Sequence, residues 1–537
     1  MLKLLKFLVF LSVILLLAQC NSREVKPIKR DTSITSKISF NNLFFDTSAL
    51  YNFLDSAEIE NLNQRQQIIN FYRKRNFQFA WFDTSGIAEQ AKSFMNLQAD
   101  YIFKNKDSSL FNSTLHQFFD NINASAFKPK NNFSQILETE LLLTRQFFIY
   151  ANKVYKGSDI NTDELEWFIP RKKLSVTAML DSLIKNKGKR TDQYEPLNKQ
   201  YRLLENALVK YYEIQKKYKW DSLIATQKKY QPGDSLPIIS EIKKRLFAFG
   251  DFKKDDVSNN YDVSLKNAVQ QFQHRHGLYE DGIIGANTLY EINKPIKNRI
   301  QQILVNMERA RWLPEESDEN YISVNIPEFK LDVYEKRNLL FSMNVVVGTV
   351  ANSTVVFYGN LKYVVFSPYW NVPESIVTNE IVPKMKKNPN YLIKENMEIT
   401  GYKTNSVPII RQKSGPNNSL GYVKFLFPNS HNIYFHDTPS RHLFSSTKRN
   451  FSHGCIRISE PFKMAKYLLR NDSLWNKADS TIINAMHLGK EKWVSLKKTI
   501  PVYIKYFTAW IDKDGVLNFR YDIYKHDLKM QEKLFNK

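Results

Sequence analysis

The sequence predicts a multidomain α+β protein. Its N-terminal half is a helical scaffold, its middle a compact three-helix unit, and its C-terminal domain mainly β. Three observations carry this. Apolar residues recur at helical spacing between about residues 43 and 229. A short stretch from Gly233 to Asn293 holds three helical patterns separated by glycine stops. Beyond Ile300 the apolar period shortens to two, the period of half-buried strands. Over 537 residues, 43% hydrophobic and 14% aromatic content is enough for several packed cores and argues against disorder. The net charge of +23 favours an anionic surface or polymer as partner. No zinc-finger spacing, P-loop or RNP-like run is present, so nucleic acid is not the expected partner.

Residues 1–20 read as an export signal. Lys3 and Lys6 precede an apolar run from Phe7 to Ala18, which is short for a membrane span. The run ends Leu17-Ala18-Gln19-Cys20, which resembles the bacterial lipobox, in which the cysteine is lipidated. Gln19 stands where that motif has a small residue. The other reading is an uncleaved signal anchor. Both place the mature chain outside the cytoplasm and on a membrane. Residues 21–42 are polar and read as a tether. With Cys20 acylated, Cys455 is the one thiol left, so no internal disulfide is expected.

In the scaffold, residues 43–229, helices are expected over Gln64–Phe79, Ile136–Tyr155 and Leu203–Tyr218, with Phe77–Phe82 as packing. In the 233–293 unit, helices are expected over Ser240–Phe249, Ser264–His274 and Gly285–Ile292, with a turn at Asp281-Gly282. A short connection from about Asn293 to Ile303 follows. The C-terminal domain, about residues 300–525, reads as strands over Tyr321–Ile326, Lys330–Tyr334, Phe341–Val347, Leu361–Phe366, Gly421–Phe427 and Asn432–His436. A proline-rich insertion, about residues 375–418, interrupts them and carries Lys384, Lys386, Lys387 and Arg411. Ser459 is expected to cap a helix to Leu469. Pro501–Ile511 and Val516–Tyr524 read as a hairpin, and residues 526–537 as a polar tail.

The chemistry centres on Ser452-His453-Gly454-Cys455-Ile456-Arg457. A thiolate is the nucleophilic form of cysteine, and nearby cations lower a thiol's pKa. In extended backbone His453, Cys455 and Arg457 share a face. From the residues alone, His453 and His436 both qualify as the base. His431, His442 and His487 have no motif around them and are expected to play no catalytic part. No metal cluster or phosphate-binding glycine loop is legible, so no cofactor or metal is expected.

Several further stretches belong with this motif. They are Asn306-Met307-Glu308-Arg309, Arg311-Trp312, Val324-Asn325-Ile326-Pro327, Tyr369-Trp370-Asn371-Val372-Pro373 and Tyr434-Phe435-His436-Asp437-Thr438-Pro439. Together the C-terminal domain resembles the YkuD-type L,D-transpeptidase catalytic domain, in the large multidomain YcbB-like subgroup. The pattern Phe272-Gln273, Gly277-Leu278, Asp281-Gly282, Gly285 and Thr288 resembles the three-helix peptidoglycan-binding domain.

The resemblance implies Cys455 as nucleophile and His436 as general base and acid. His453 and Gly454 would shape the site, and Arg457 would orient the loop or the substrate. It implies an envelope enzyme on the periplasmic side that takes peptidoglycan stem peptides and glycan strands as partners. The reaction would run through a thioester acyl-enzyme and form 3→3 crosslinks, with the insertion capping the substrate groove. Hydrolysis of the same acyl-enzyme, as an L,D-carboxypeptidase, is the alternative chemistry. A non-catalytic wall-anchoring protein is the alternative from another class.

Overall fold

The computed structural model describes residues 42–56, 62–123, 133–171, 173–189, 197–314, 318–404 and 406–535. The signal segment, Cys20 and all but the last residue of the tether lie outside them. Among the described residues no helix is long and apolar enough to cross a membrane. The chain divides into two compact units. One comprises residues up to Tyr155 together with Leu174–Glu195, and the other Lys156–Lys173 and Pro196 onward.

The first unit is helical, with helices at Thr47–Ser56, Leu62–Lys74, Glu89–Asn105, Ser113–Asn123, Phe133–Ala151 and Val176–Lys185. The helix expected to reach Phe79 stops at Lys74, because Asn76 and Phe77 both take left-handed backbone. That turn sends Phe79, Trp81 and Phe82 fully into the core, as the aromatic run suggested. The bend is held by buried Glu140, which accepts from Ala80 N at 2.6 Å, Trp81 N at 2.8 Å and the Tyr72 hydroxyl at 2.8 Å. Burial lifts this carboxyl to about 7.

In the second unit the three-helix module forms as expected, with shifted ends. Its helices are Pro237–Phe249, stopped by left-handed Gly250, then Val263–Arg275 and Ala286–Asn293. Asp262 caps the second by accepting from Leu265 N at 2.7 Å.

The C-terminal domain is built on strands β1 (Tyr321–Asn325), β2 (Lys330–Glu335), β3 (Asn338–Gly348), β4 (Phe357–Phe366), β5 (Trp370–Asn371), β6 (Met397–Tyr402), β7 (Pro408–Gln412), β8 (Val423–Leu426), β9 (Phe435–His436), β10 (Asn450–Ser452), β11 (Ile456–Ile458), β12 (Lys492–Lys505), β13 (Ala509–Ile511) and β14 (Leu517–Phe519). The main sheet runs β10-β3-β11-β9-β8-β4-β12-β1-β2. A further β2–β3 pairing closes eight of these strands into a ring, which removes their free edges. Its core includes fully buried Val345, Val347, Phe425, Phe435, Ile456 and Ile458. The insertion forms its own three-stranded sheet, β5-β7-β6, with a small core on Val377, Ile381 and Ile410.

Three local expectations are corrected. Ser459 does not cap the following helix, which spans Pro461–Leu469 with Glu460 at the cap position; the Ser459 amide instead bonds Asn344 O at 3.0 Å. The stretch 501–511 is not one hairpin arm. Its first part belongs to β12 in the ring, and only β13 pairs with β14. Residues 526–535 are a helix rather than a polar tail, because His526, Asp527 and Met530 are buried on it.

Candidate active site

The site is assembled by one parallel strand pair. β9 and β11 run side by side, with Phe435 opposite Ile456 and His436 opposite Arg457. Side chains alternate along each strand, so residues one position either side of Phe435 and Ile456 turn to the other face. Phe435 and Ile456 enter the core. Tyr434, His436, Cys455 and Arg457 are thereby brought together on the opposite face. Diagonal neighbours in a sheet lie roughly 7–8 Å apart, within reach of longer side chains.

Cys455 is half-buried, and its thiol donates to the Asn432 carbonyl at 3.4 Å. Burial pushes the thiol up to about 11, against the weaker opposing pull of Tyr434 and Arg457. His436 is 4% exposed. Burial, reinforced by the Arg457 cation, holds its imidazole down at about 3. Both groups are therefore neutral near pH 7. His436 Nδ1 lies 2.5 Å from the carbonyl of Asp437. A carbonyl only accepts, so Nδ1 carries the proton and Nε2 keeps its lone pair. The Asp437 carboxylate plays no part in that bond. It accepts from Tyr422 N, Thr438 N and Arg441, behind Gly421, where a Cβ would collide with it.

The turn that carries Cys455 is held from below. Gly454 takes φ 108°, which favours glycine. Ser452 Oγ donates to Cys455 O at 2.5 Å and accepts from Gly454 N at 3.2 Å. Buried Thr354 donates to Gly454 O at 2.7 Å and accepts from Gly348 N at 2.9 Å. The Tyr524 hydroxyl in turn donates to Gly348 O at 2.7 Å and accepts from Thr354 N at 3.2 Å. Gly454 N is engaged by Ser452, while Cys455 N makes no hydrogen bond among the described residues.

His453 does not join the thiol. It is exposed, and its Nε2 lies 2.7 Å from Glu380 Oε1 in the insertion. Of the basic residues in the insertion, Arg411 is taken by Glu398 and lies over the Tyr369 ring at 4.6 Å. His431 packs against Phe168 and Phe357, at ring separations of 4.5 and 5.3 Å. Sequence reasoning missed Thr354, Tyr524, Asn432, Glu380 and the placement of Tyr434. Only Tyr434 carried a signal, since period two puts it on the face of His436.

Residues 319–494 match the model of the L,D-transpeptidase catalytic domain, YkuD. Residues 66–208 match a scaffold domain, and residues 235–292 a domain provisionally described as peptidoglycan-binding. A Haemophilus influenzae protein provisionally named an L,D-transpeptidase is 32% identical over 286 residues. That match takes in 50% of this chain and 56% of the relative, so the chain spans little more than half of that relative's length. Among solved structures, an L,D-transpeptidase from Stackebrandtia nassauensis is 13% identical, with 52% of this chain and 97% of that one covered, at a TM-score of 0.22. One from Xylanimonas cellulosilytica is 14% identical, with 52% and 100% covered, at a TM-score of 0.18.

Proposed function

We propose that this chain, which carries an L,D-transpeptidase catalytic domain beside a peptidoglycan-binding domain and a scaffold domain, is a cysteine acyltransferase of the bacterial cell wall. The observation that carries the reading is the β9–β11 register, which sets a neutral thiol and a neutral imidazole of defined tautomer on one face. His436 Nε2 takes the Cys455 proton as sulfur attacks the carbonyl of the third stem residue's L-centre. The C–N bond to the terminal D-alanine breaks, and the imidazolium protonates the leaving amine. A thioester remains on Cys455. The side-chain amine of another stem's third residue then loses a proton to His436 and displaces the thiol, giving a 3→3 crosslink. The free amide of Cys455 supports an oxyanion site. Gly454 gives the turn its left-handed backbone, and His453, held by Glu380, links the insertion to it. The insertion caps the groove.

The protein works in the envelope, on the periplasmic side, attached to a membrane through Cys20 or an uncleaved anchor. The test is incubation with purified disaccharide-tetrapeptide followed by mass spectrometry. Crosslinked dimer, and its loss in Cys455→Ala with circular dichroism unchanged, is the expected result. Trimmed tripeptide alone would make the enzyme a carboxypeptidase. Crosslinks formed by Cys455→Ala would refute the nucleophile. Release of Cys20→Ser protein from the membrane pellet would identify a lipid anchor, and retention a signal anchor.

A further inference from the structure

Arg457, half-buried, stands apart from the other enclosed arginines of its unit. Arg275 is met by Asp251, Arg309 by Asp527, Arg299 by Glu291 and Arg311 by Glu308. Arg520 and Arg449 donate to backbone carbonyls. The Arg457 side chain has no hydrogen bond or ion pair to any described residue, and its Nε is wholly buried without a partner. Burial alone pushes the guanidinium down, with no carboxylate to offset it. A buried nitrogen left unpaired on a half-buried cation is costly, and such orphans call for an explanation.

Its position supplies one. Arg457 follows Cys455 by two residues and pairs in register with His436. It therefore points to the face from which a substrate reaches the thiol. Strand residues two apart are about 7 Å apart. In a substrate, the residue after the attacked carbonyl places its own carboxyl within about one Cα spacing, ~3.8 Å. A guanidinium on that face spans the difference. Its planar fork matches a carboxylate in a bidentate pair. The thiol is not the missing partner, since burial keeps it protonated near neutral pH.

We propose that Arg457 binds the free carboxylate at the C-terminal end of the acyl donor, so that the site selects stems ending one residue beyond the attacked carbonyl. This rests on the acyltransfer reading of Cys455. A donor whose last residue is amidated, or extended by another residue, leaves the cation unpaired and is disfavoured.

The experiment compares two donors, disaccharide-tetrapeptide and the same compound with a terminal D-alaninamide. Single-turnover thioester formation is followed by intact-protein mass spectrometry. The wild type is expected to prefer the carboxylate donor by about 10- to 100-fold, the range for a hydrogen bond to a charged group. In Arg457→Gln that ratio should collapse to within about threefold of unity, and Arg457→Lys should lie between, because charge is kept and the fork is lost. A wild-type ratio near one overturns the proposal without any variant. So does an Arg457→Gln protein, folded by circular dichroism, that loses rate on both donors while keeping the wild-type ratio; Arg457 would then serve the reacting centre. Should the wild type form no thioester with either donor, the acyltransfer reading fails, and the subsite is judged by binding. Cys455→Ala protein should then bind N-acyl-D-alanine more tightly than its amide by calorimetry. Equal affinities would sink the subsite as well.

Discussion

The protonation state of Cys455 can be tested directly. Cys20→Ser leaves Cys455 as the only thiol in the full chain. Alkylation by iodoacetamide reads the thiolate fraction. With the thiol pushed to about 11, about 1 molecule in 3,000 is thiolate at pH 7.5, against about 1 in 10 for a free thiol near 8.5. The folded protein should therefore react about 300-fold more slowly than the same protein in urea. The sign follows from the cause, since burial disfavours the charged form of an acid and raises its pKa. The logarithm of the rate should climb with unit slope from pH 6 to about 10. Poor access would lower the whole curve without moving its inflection, so the slope separates the two effects. A rate flat below pH 7, or an inflection near 6, would mean a standing thiolate–imidazolium pair and would refute the neutral resting state.

The same burial makes His436 a liability in acid. Its imidazole is held at about 3 against about 6.5 when unfolded, so the unfolded state binds more protons as pH falls through 6.5. Stability present above pH 6.5 is lost downward through that window, by about 2 kcal/mol between pH 7 and 5. Urea denaturation of His436→Gln should show that much less acid sensitivity than wild type; an unchanged difference would contradict the assignment. In single-turnover acylation, His436→Ala should fall by about 10²- to 10⁴-fold and His453→Ala by about tenfold or less, and the reverse ranking would make His453 the base. Tyr524→Phe removes a buried hydroxyl that serves Gly348 O and Thr354 N. It should cost about 1–3 kcal/mol in thermal or urea unfolding and slow acylation, whereas a variant equal to wild type in both would show that the turn does not depend on it.

What was legible in the sequence was local. Helical period, glycine stops and period-two runs located the scaffold, the three-helix module and most strands of the ring. The motifs carried Cys455 and His436. The supports were not legible, because they are set by register between distant segments. Thr354 sits 100 residues before Gly454, and Tyr524 is 170 residues from Thr354. Neither lies in a stretch whose composition differs from ordinary strand ends. Glu380 had no signal either, since its partner His453 is exposed and 73 residues away. The long arm 501–511 was misread for a related reason. Its apolar alternation continues across Tyr506–Thr508, while Thr508 turns aside to bond Asn306 and Asp527. A period cannot report a strand that changes sheets.

A three-helix module on a short flexible connection would act as a second contact on the same polymer. The connection is not a free linker, since a helix begins at Ile296, three residues after the module's last helix. The module is also docked on the β13–β14 hairpin. Arg275 is held by Asp251 at 2.6 and 2.5 Å, and Arg520, next to β14, donates to Arg275 O at 3.0 Å. His276 stacks on Phe272 at 3.9 Å and on Phe519 at 5.5 Å. Gly277 has no Cβ because Arg520 lies 2.6 Å from where it would be. A flexible tether raises local concentration over a volume. A docked module would instead fix one displacement between a polymer bound to it and Cys455, and under the proposed function would favour stems at a set distance along a strand. Deleting Gly233–Asn293 should then do more than weaken targeting. Removing His276 from Phe519 forfeits part of the about 1.5–3 kcal/mol that full burial of a Phe is worth, and Arg520 loses its acceptor on Arg275. The deleted protein should unfold at lower temperature and lose activity on soluble muropeptides as well as on sacculi. A melting temperature equal to wild type, with activity lost on sacculi only, would show that the docked contacts carry no load and restore the tether.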